Sequence, residues 1–394
     1  MWRPALRGPA VRQSRRVVIV SASIGAGHDG AAWELARRLG EAGFTVDCLD
    51  FVDLVPLRIG RLLRTGYRRQ LDLAPGSWQW LQATLGHEGW TAQAAIGIAA
   101  TAARRLRTAI GGDCLAVVST YPMASQVLGR MRRSGQLSVP VVTYLTDMSV
   151  HPLWVAAGVD VHLAIHRLPA AEAAALGAAG VEVIAPAVAP AFGPIDVVPA
   201  GRDQVRRRFG LPNTGRLVLV ATGSWGVGEA EQSARDIAAT GLAVPVVACG
   251  HNDRLRERLV ATRTGVALGW VDDMPALIGA CDVVVQNAGG LSSLEALTAG
   301  TAVVSYRCVP GHGRANAYAL DQAGLAAWIR DREQLGPMLA EVLNGPRGPE
   351  QRAAGFAMTH GPDPARAIAA VAAPGDPRHT APMTEPAPLL GAVR

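Results

Sequence analysis

Cysteine is scarce in this chain, with five in 394 residues: Cys48, Cys114, Cys249, Cys281 and Cys308. They are scattered, odd in number and never in a C-x-x-C pair, which argues against a disulfide framework or a cysteine-bound metal. Most lie beside apolar runs and read as small core residues in a reducing compartment. Long hydrophobic runs are missing as well. No stretch of about 18 uncharged apolar residues occurs, so no membrane-spanning helix is expected. Aromatic residues make up only 5% and form no stripe interleaved with basic ones, so nucleic acid is not an expected partner. The net charge of +6 is mild and permits attraction to an anionic membrane or a phosphorylated ligand. Residues 1–14 are basic and read as an unstructured leader. The apolar run after Arg16 is only Val17 to Val20 and enters a glycine loop, which indicates a strand and not a signal peptide.

Apolar residues are plentiful at 49%, and the length suits two domains of ordinary size. The densest organisation lies between Gly269 and Leu320. Asp282-Val-Val-Val285 fits a buried strand of a parallel sheet. It breaks at Asn287-Ala-Gly289-Gly290 and passes into a helix-forming run, Leu291 to Leu297. A strand, a glycine turn and a helix start form a phosphate cradle, because first-turn amides lack partners and the helix dipole favours negative charge. Ser292 and Glu295 have capping-box spacing, so Glu295 reads equally as a helix cap or as a carboxylate for both hydroxyls of a ribose. After the next strand, Ala302 to Tyr306, the turn carrying Gly311, His312 and Asn316 can reach a sugar beyond the phosphates.

The first half opens with its own glycine loop. Gly25-x-Gly27-x-x-Gly30 follows the Val17–Val20 strand, precedes a helix expected from about Ala31 to Leu39, and matches a dinucleotide fingerprint. Asp47 and Asp50 lie near the ribose-binding distance, so an NAD-dependent dehydrogenase is one reading. Against it, the more elaborate nucleotide-type loop is in the other half, and His28 has no part in binding a pyrophosphate through amides. Further on, Arg58, Arg61, Arg64, Arg68 and Arg69 share one helical arc and are followed by Trp78, Trp80 and Trp90. That pattern suits the surface of an anionic membrane, or else a solvated face over a core helix. Strands are expected at Leu115–Val118, at Val139–Leu145 (ending in Thr146-Asp147), at Val159–Ile165 and at Val181–Ile184. A proline-rich connection, 186–199, marks a domain boundary. Leu217–Val220 then starts a new α/β unit whose loop contains Gly223 and Ser224, and Val244–Cys249 ends near Asn252. Residues beyond Ala373 read as a disordered tail.

The order of motifs, Gly269-Trp-Val-Asp-Asp-Met-Pro275, Ala288-Gly-Gly-Leu-Ser-Ser-Leu-Glu-Ala-Leu297 and Val309-Pro-Gly-His312 with Ala315-Asn-Ala317, resembles the C-terminal half of a glycosyltransferase family. That family includes monogalactosyldiacylglycerol synthase and the processive diacylglycerol glucosyltransferases, with the peptidoglycan N-acetylglucosaminyltransferase a more distant relative. The resemblance implies an α/β protein of two Rossmann-like domains facing a cleft, the GT-B arrangement. An acceptor domain (15–188) and a donor domain (201–372) would be joined by a linker (189–200). It also implies an inverting transfer from a UDP-sugar, with no other cofactor and no metal, to a lipid hydroxyl such as that of diacylglycerol. The expected location is cytoplasmic, peripheral to the inner face of the cell membrane.

Residue by residue, Gly25-Ala-Gly27-His28 matches a G-x-G-H motif that faces the acceptor, with His28 as general base. Asp147, in the matching run Thr146 to Trp154, is the second candidate base or an orienting group, if it is not simply a turn residue. Gly223 and Ser224 would oppose the amides of Gly289, Gly290 and Leu291 across the diphosphate. Asn252 would lie near the nucleotide, and the base would lie against Val271 and beside Met274, which reads equally as packing. The chain departs from the pattern at Asn287 and Ala288 and at His312, Gly313 and Arg314, while Asn316 is retained. Sugar identity is therefore open, a charged sugar included. A soluble acceptor and a non-catalytic nucleotide-sugar or lipid binder are the other readings.

Overall fold

The computed structural model describes residues 15–23, 26–55, 97, 99–193, 199–224, 226 and 228–376. Gly25, the arginine and tryptophan positions expected at a membrane (Arg58, Arg61, Arg64, Arg68, Arg69, Trp78, Trp80, Trp90), the leader and the tail from 377 lie outside the described residues.

Two six-stranded parallel sheets carry the fold. The first runs β2-β1-β3-β4-β5-β6, from β1 (Arg16–Ser21), β2 (Thr45–Asp50), β3 (Cys114–Ser119), β4 (Val141–Leu145), β5 (Val161–Ala164) and β6 (Val181–Val183). The second runs β12-β11-β10-β7-β8-β9, from β7 (Leu217–Ala221), β8 (Val244–Ala248), β9 (Val266–Leu268), β10 (Val283–Gln286), β11 (Ala302–Tyr306) and β12 (Ala327–Ile329). Central strands such as β4, β7 and β11 are buried along their whole length, as expected of β-branched runs covered by helices on both faces. The strand order reverses between β1 and β3 in one sheet and between β7 and β10 in the other. At each reversal, successive crossovers leave on opposite faces and open a crevice at the carboxyl ends of the strands. The loops bearing His28, Thr120, Gly223 and Gly289 follow these four strands, and those of Asp147, Asn252 and Gly311 follow the neighbouring strands β4, β8 and β11. Asp282 fixes the second reversal by accepting from the Leu217 amide at 2.8 Å, between Arg202 and Arg216 at 3.1 and 3.0 Å.

The helix after β1 starts earlier than the sequence suggests. Helix α1 spans Ala26–Glu41, so it begins inside the glycine motif and not near Ala31. Glycine is poor in helices, but here it is the absence of a side chain that matters. A β-carbon on Gly30 would lie 2.4 Å from Leu291 Cδ2, and one on Gly27 would lie 3.6 Å from Leu291 Cβ. The motif therefore lets α1 approach the second half closely. One apolar cluster runs from Val17, Leu35 and Leu39 through Val188 and Phe192 to Leu219, Val284 and Leu294, joining both sheets across the linker. The last helix (Pro364–Ala372), within the span expected for the donor domain, lies in space against α1 and β3 of the first sheet. Arg38 on α1 holds this junction through Asp363 at 3.1 Å and the Val188 carbonyl at 2.8 Å.

Candidate functional site

The second half supplies a turn and a helix start. Gln286, at the end of β10, is buried; its Nε2 donates to Ser305 Oγ at 2.6 Å and its Oε1 accepts the Gly289 amide. Gly289 has φ +72°, and a β-carbon there would stand 2.4 Å from Asn316 Cβ. Backbone and neighbour both demand glycine, so Gly289→Ala is expected to destabilise the protein by about 2–4 kcal/mol, read as a fall in urea midpoint at unchanged m. The N-cap of the helix Leu291–Thr298 is Gly290, and no side chain caps it. Gly290, Leu291 and Ser292 follow, and among the described residues nothing accepts from their amides, while Ser293 N donates to Gly290 O at 3.0 Å. Of the amides expected to face a diphosphate, that of Gly289 is engaged by Gln286; the next three are open.

With Gly290 as N-cap, Ser292 is the second helical residue and Glu295 the fifth, so the capping-box geometry does not form. Among the described residues no donor reaches the Glu295 carboxyl, and burial alone raises its pKa to about 7. It is a half-buried carboxyl one and a half turns along the helix from open amides.

The other loops of this half build the surrounding walls. After β7, Gly223 and Gly226 have φ of +67° and +61°. Ser224 O accepts the His251 amide at 3.0 Å, so the loop is tied to the end of β8. Asn252, expected near the nucleotide, caps the helix Asp253–Thr262 through Leu255 N at 3.0 Å and supports the Gly226 carbonyl at 3.4 Å. Val271 and Met274 are half-buried and pack on the core cluster. The Asp272–Asp273 pair serves a helix start: Asp273 accepts from Ala276 N at 3.1 Å, and Asp272 accepts from Trp270 Nε1 at 2.8 Å. Beside Val271, exposed Trp270 stacks on His251 with centroids 4.3 Å apart and planes within 6°. Trp270 stood in the Gly269–Pro275 motif, but nothing in the sequence paired it with His251.

After β11, Gly311 at φ +76° starts the helix His312–Gln322. Gly313 allows this helix to meet the first turn, since a β-carbon on it would lie 2.7 Å from Asn287 O. Desolvation lowers the His312 pKa, opposed by the Asp147 charge and reinforced by His28 and His151. His312 therefore shares its surroundings with residues of the first half.

His28 lies in the first turn of α1, between the two glycines that meet Leu291. Its Nδ1 is 2.8 Å from the Thr120 carbonyl and 3.4 Å from Thr146 Oγ1. Thr120 Oγ1 donates to the His28 carbonyl at 3.2 Å, and the rings of Tyr121 and Trp154 stand 5.5 and 6.0 Å away. A carbonyl only accepts, so in the neutral ring the proton sits on Nδ1 and Nε2 carries the lone pair. That is the tautomer of a base. Thr120 follows β3, at the first strand reversal, and Thr146 follows the next strand, β4; Thr146 opened a matched motif, whereas topology alone would have found Thr120. Asp147 accepts from Asn316 Nδ2 at 3.3 Å, and no described bond joins it to His28. Asn316 is fully buried and is held by Ser149 of the first half as well.

Asp50 and Asp47, the acids a dinucleotide ribose would need, are engaged by the chain itself: Asp50 by Ser23 Oγ at 2.5 Å and Val52 N at 2.9 Å, Asp47 by Arg16 at 2.7 Å. Among the described residues no group of three His, Cys, Asp or Glu is arranged to hold a metal, and no helix is long and apolar enough to cross a membrane.

No family model matches the chain. Over 235 residues it is 24% identical to a processive diacylglycerol beta-glucosyltransferase of Bacillus subtilis (strain 168), which covers 58% of this chain and 60% of that protein. The match thus spans 57–60% of the length of the curated relatives, less than two thirds. Among solved structures, MurG of Acinetobacter baumannii is 18% identical with TM-score 0.53, covering 90% of this chain and 98% of its own. HepE of Anabaena, solved with UDP and glucose, is 13% identical with TM-score 0.53, covering 90% and 96%. The motif resemblance is matched by these similarities, and the fold is GT-B.

Proposed function

We propose that this chain is an inverting, UDP-sugar-dependent glycosyltransferase whose acceptor is a lipid hydroxyl such as that of diacylglycerol. The observation that carries the reading is the meeting of the two strand-reversal crevices. The loop bearing His28 abuts Leu291, so a histidine base tautomer stands opposite a helix start with open amides. In the reaction, Nε2 of His28 takes the acceptor hydroxyl proton as that oxygen bonds to the anomeric carbon. The bond from that carbon to the diphosphate breaks on the far side, inverting the centre. The charge released on the diphosphate is met by the amides of Gly290, Leu291 and Ser292, with the Gly223–Ser224 loop opposite. Glu295 accepts from the ribose hydroxyls, the base rests against Val271 and Met274, and His312 and Gly311 face the sugar. These groups supply the charge stabilisation without a metal. Asp147 keeps an electrostatic part beside His312, because its position near Asn316 leaves the proton transfer to His28.

The lipid acceptor is supported by the names of the similar Bacillus enzymes and by the basic, tryptophan-bearing segment that includes Arg58, Arg61, Arg64, Arg68, Trp78 and Trp80. The same segment suits peripheral attachment to the anionic inner face of the cell membrane. The test is a panel of UDP-sugars with diacylglycerol in anionic vesicles, with and without EDTA, read by mass spectrometry, alongside calorimetry with UDP and NAD(H). The expected result is one glycolipid product, formed only with vesicles and unaffected by chelation, with UDP bound and NAD(H) not. Product on a water-soluble acceptor without vesicles would move the acceptor class. NAD(H) binding without UDP binding would overturn the reading altogether.

A further inference from the structure

Asn316 was expected to contact a sugar, but its side chain has no capacity left for one. An asparagine amide offers two lone pairs and two N–H groups. Oδ1 accepts from Ser149 N and Ser149 Oγ, each at 2.9 Å, and Nδ2 donates to Asp147 Oδ1 at 3.3 Å and Ala288 O at 3.1 Å. All four bonds are made at zero exposure, and three of them cross from the second half to the first. The fourth holds the turn that presents the open amides. Next to it, the bare α-carbons of Gly27 and Gly30 receive Leu291 from the other side of the cleft.

We infer that Asn316 is a positioning residue, the polar half of a latch that holds the two halves together at the cleft. Leu291 in the Gly27/Gly30 notch is its apolar half. The last two glycines of the first motif, Gly27 and Gly30, are thereby accounted for without a dinucleotide, since they are where the opposing helix docks. Formation of the latch brings the loop of Asp147, the Ala288–Gly289 turn and the His28-bearing turn of α1 into one arrangement. The consequence for turnover rests on the glycosyltransferase reading; the latch itself does not.

The experiment is hydrogen–deuterium exchange on the free full-length protein, comparing wild type with Asn316→Ala and Asn316→Asp. The aspartate variant keeps the shape and the acceptor for Ser149, but loses both donors and adds a charge beside Asp147. Peptides covering 147–151 and 27–33 are expected to exchange about tenfold faster in both variants, while peptides of β1 and β7 keep their protection. UDP affinity should stay within about threefold of wild type and kcat should fall by more than about tenfold, because Gln286 still holds the turn through the Gly289 amide and Glu295 is retained. Unchanged exchange at 147–151 in both variants would overturn the latch. So would a large loss of UDP affinity with exchange unaltered, the signature of an ordinary ligand contact. Because the exchange arm uses no ligand, a wild type that failed to bind UDP would count against the glycosyltransferase reading and leave the latch to be judged by exchange alone.

Discussion

Replacing His28 by alanine is expected to lower kcat by about 10²–10⁴-fold, the usual worth of a positioned general base, while UDP binds within about twofold of wild type. The separation of the two effects follows from where the side chain stands. His28 is held by groups of its own half: the Thr120 carbonyl, Thr146 Oγ1 and the rings of Tyr121 and Trp154. The groups proposed to hold the nucleotide belong to the other sheet. Removing the imidazole therefore takes away proton transfer and leaves the donor cradle intact. The Nδ1 contact with Thr120 makes the expectation sharper, because it fixes which nitrogen takes the proton. Steady-state kinetics and UDP calorimetry on the same preparation decide it. Turnover close to wild type would remove His28 from the base role and return attention to Asp147.

Much of this arrangement was legible in the sequence because buried parallel strands are written as β-branched runs. Val17–Val20, Leu217–Val220 and Asp282–Val285 announced β1, β7 and β10, and the loops after them announced the crevices. What stayed hidden was set by partners distant in the chain. The first glycine motif has the spacing of a cofactor loop, and its real neighbour, Leu291, lies in the other half. Asn316 has the position of a sugar contact, but its amide is consumed by Ser149 and Asp147, which no local pattern reveals. Asn252 likewise became a helix cap that supports a loop. The bond from Gln286 to the Gly289 amide shifts the open cradle one residue along, to Gly290–Ser292. Side-chain acceptors compete with ligands for the same amides, and spacing alone does not say which one wins.

The carboxyl of Glu295 offers the second large effect, and its sign depends on pH. Burial without a donor raises its pKa from the ordinary 4.5 to about 7. Between those values the folded protein binds more protons than the unfolded chain, so stability falls as pH rises through that window. The full penalty, about 3 kcal/mol as an upper bound, is present above pH 7. Glu295→Gln abolishes it, so the variant should match wild type in thermal stability near pH 4.5 and exceed it increasingly up to about pH 8. Donor binding should move the opposite way. An ionised carboxylate accepts from both ribose hydroxyls through charge-assisted bonds, and the neutral amide loses about 2 kcal/mol of that, roughly a thirtyfold weakening of UDP. Protonation of the UDP phosphate affects both proteins alike, so the ratio of their affinities isolates Glu295 and should widen with pH across about 6–8. A variant that binds UDP as wild type does, and loses stability at every pH, would make Glu295 a structural group after all. More stable yet weaker in binding is the signature of a charge kept dry for a ligand: the fold bears the cost of an unpaired carboxylate, and the ribose hydroxyls relieve it.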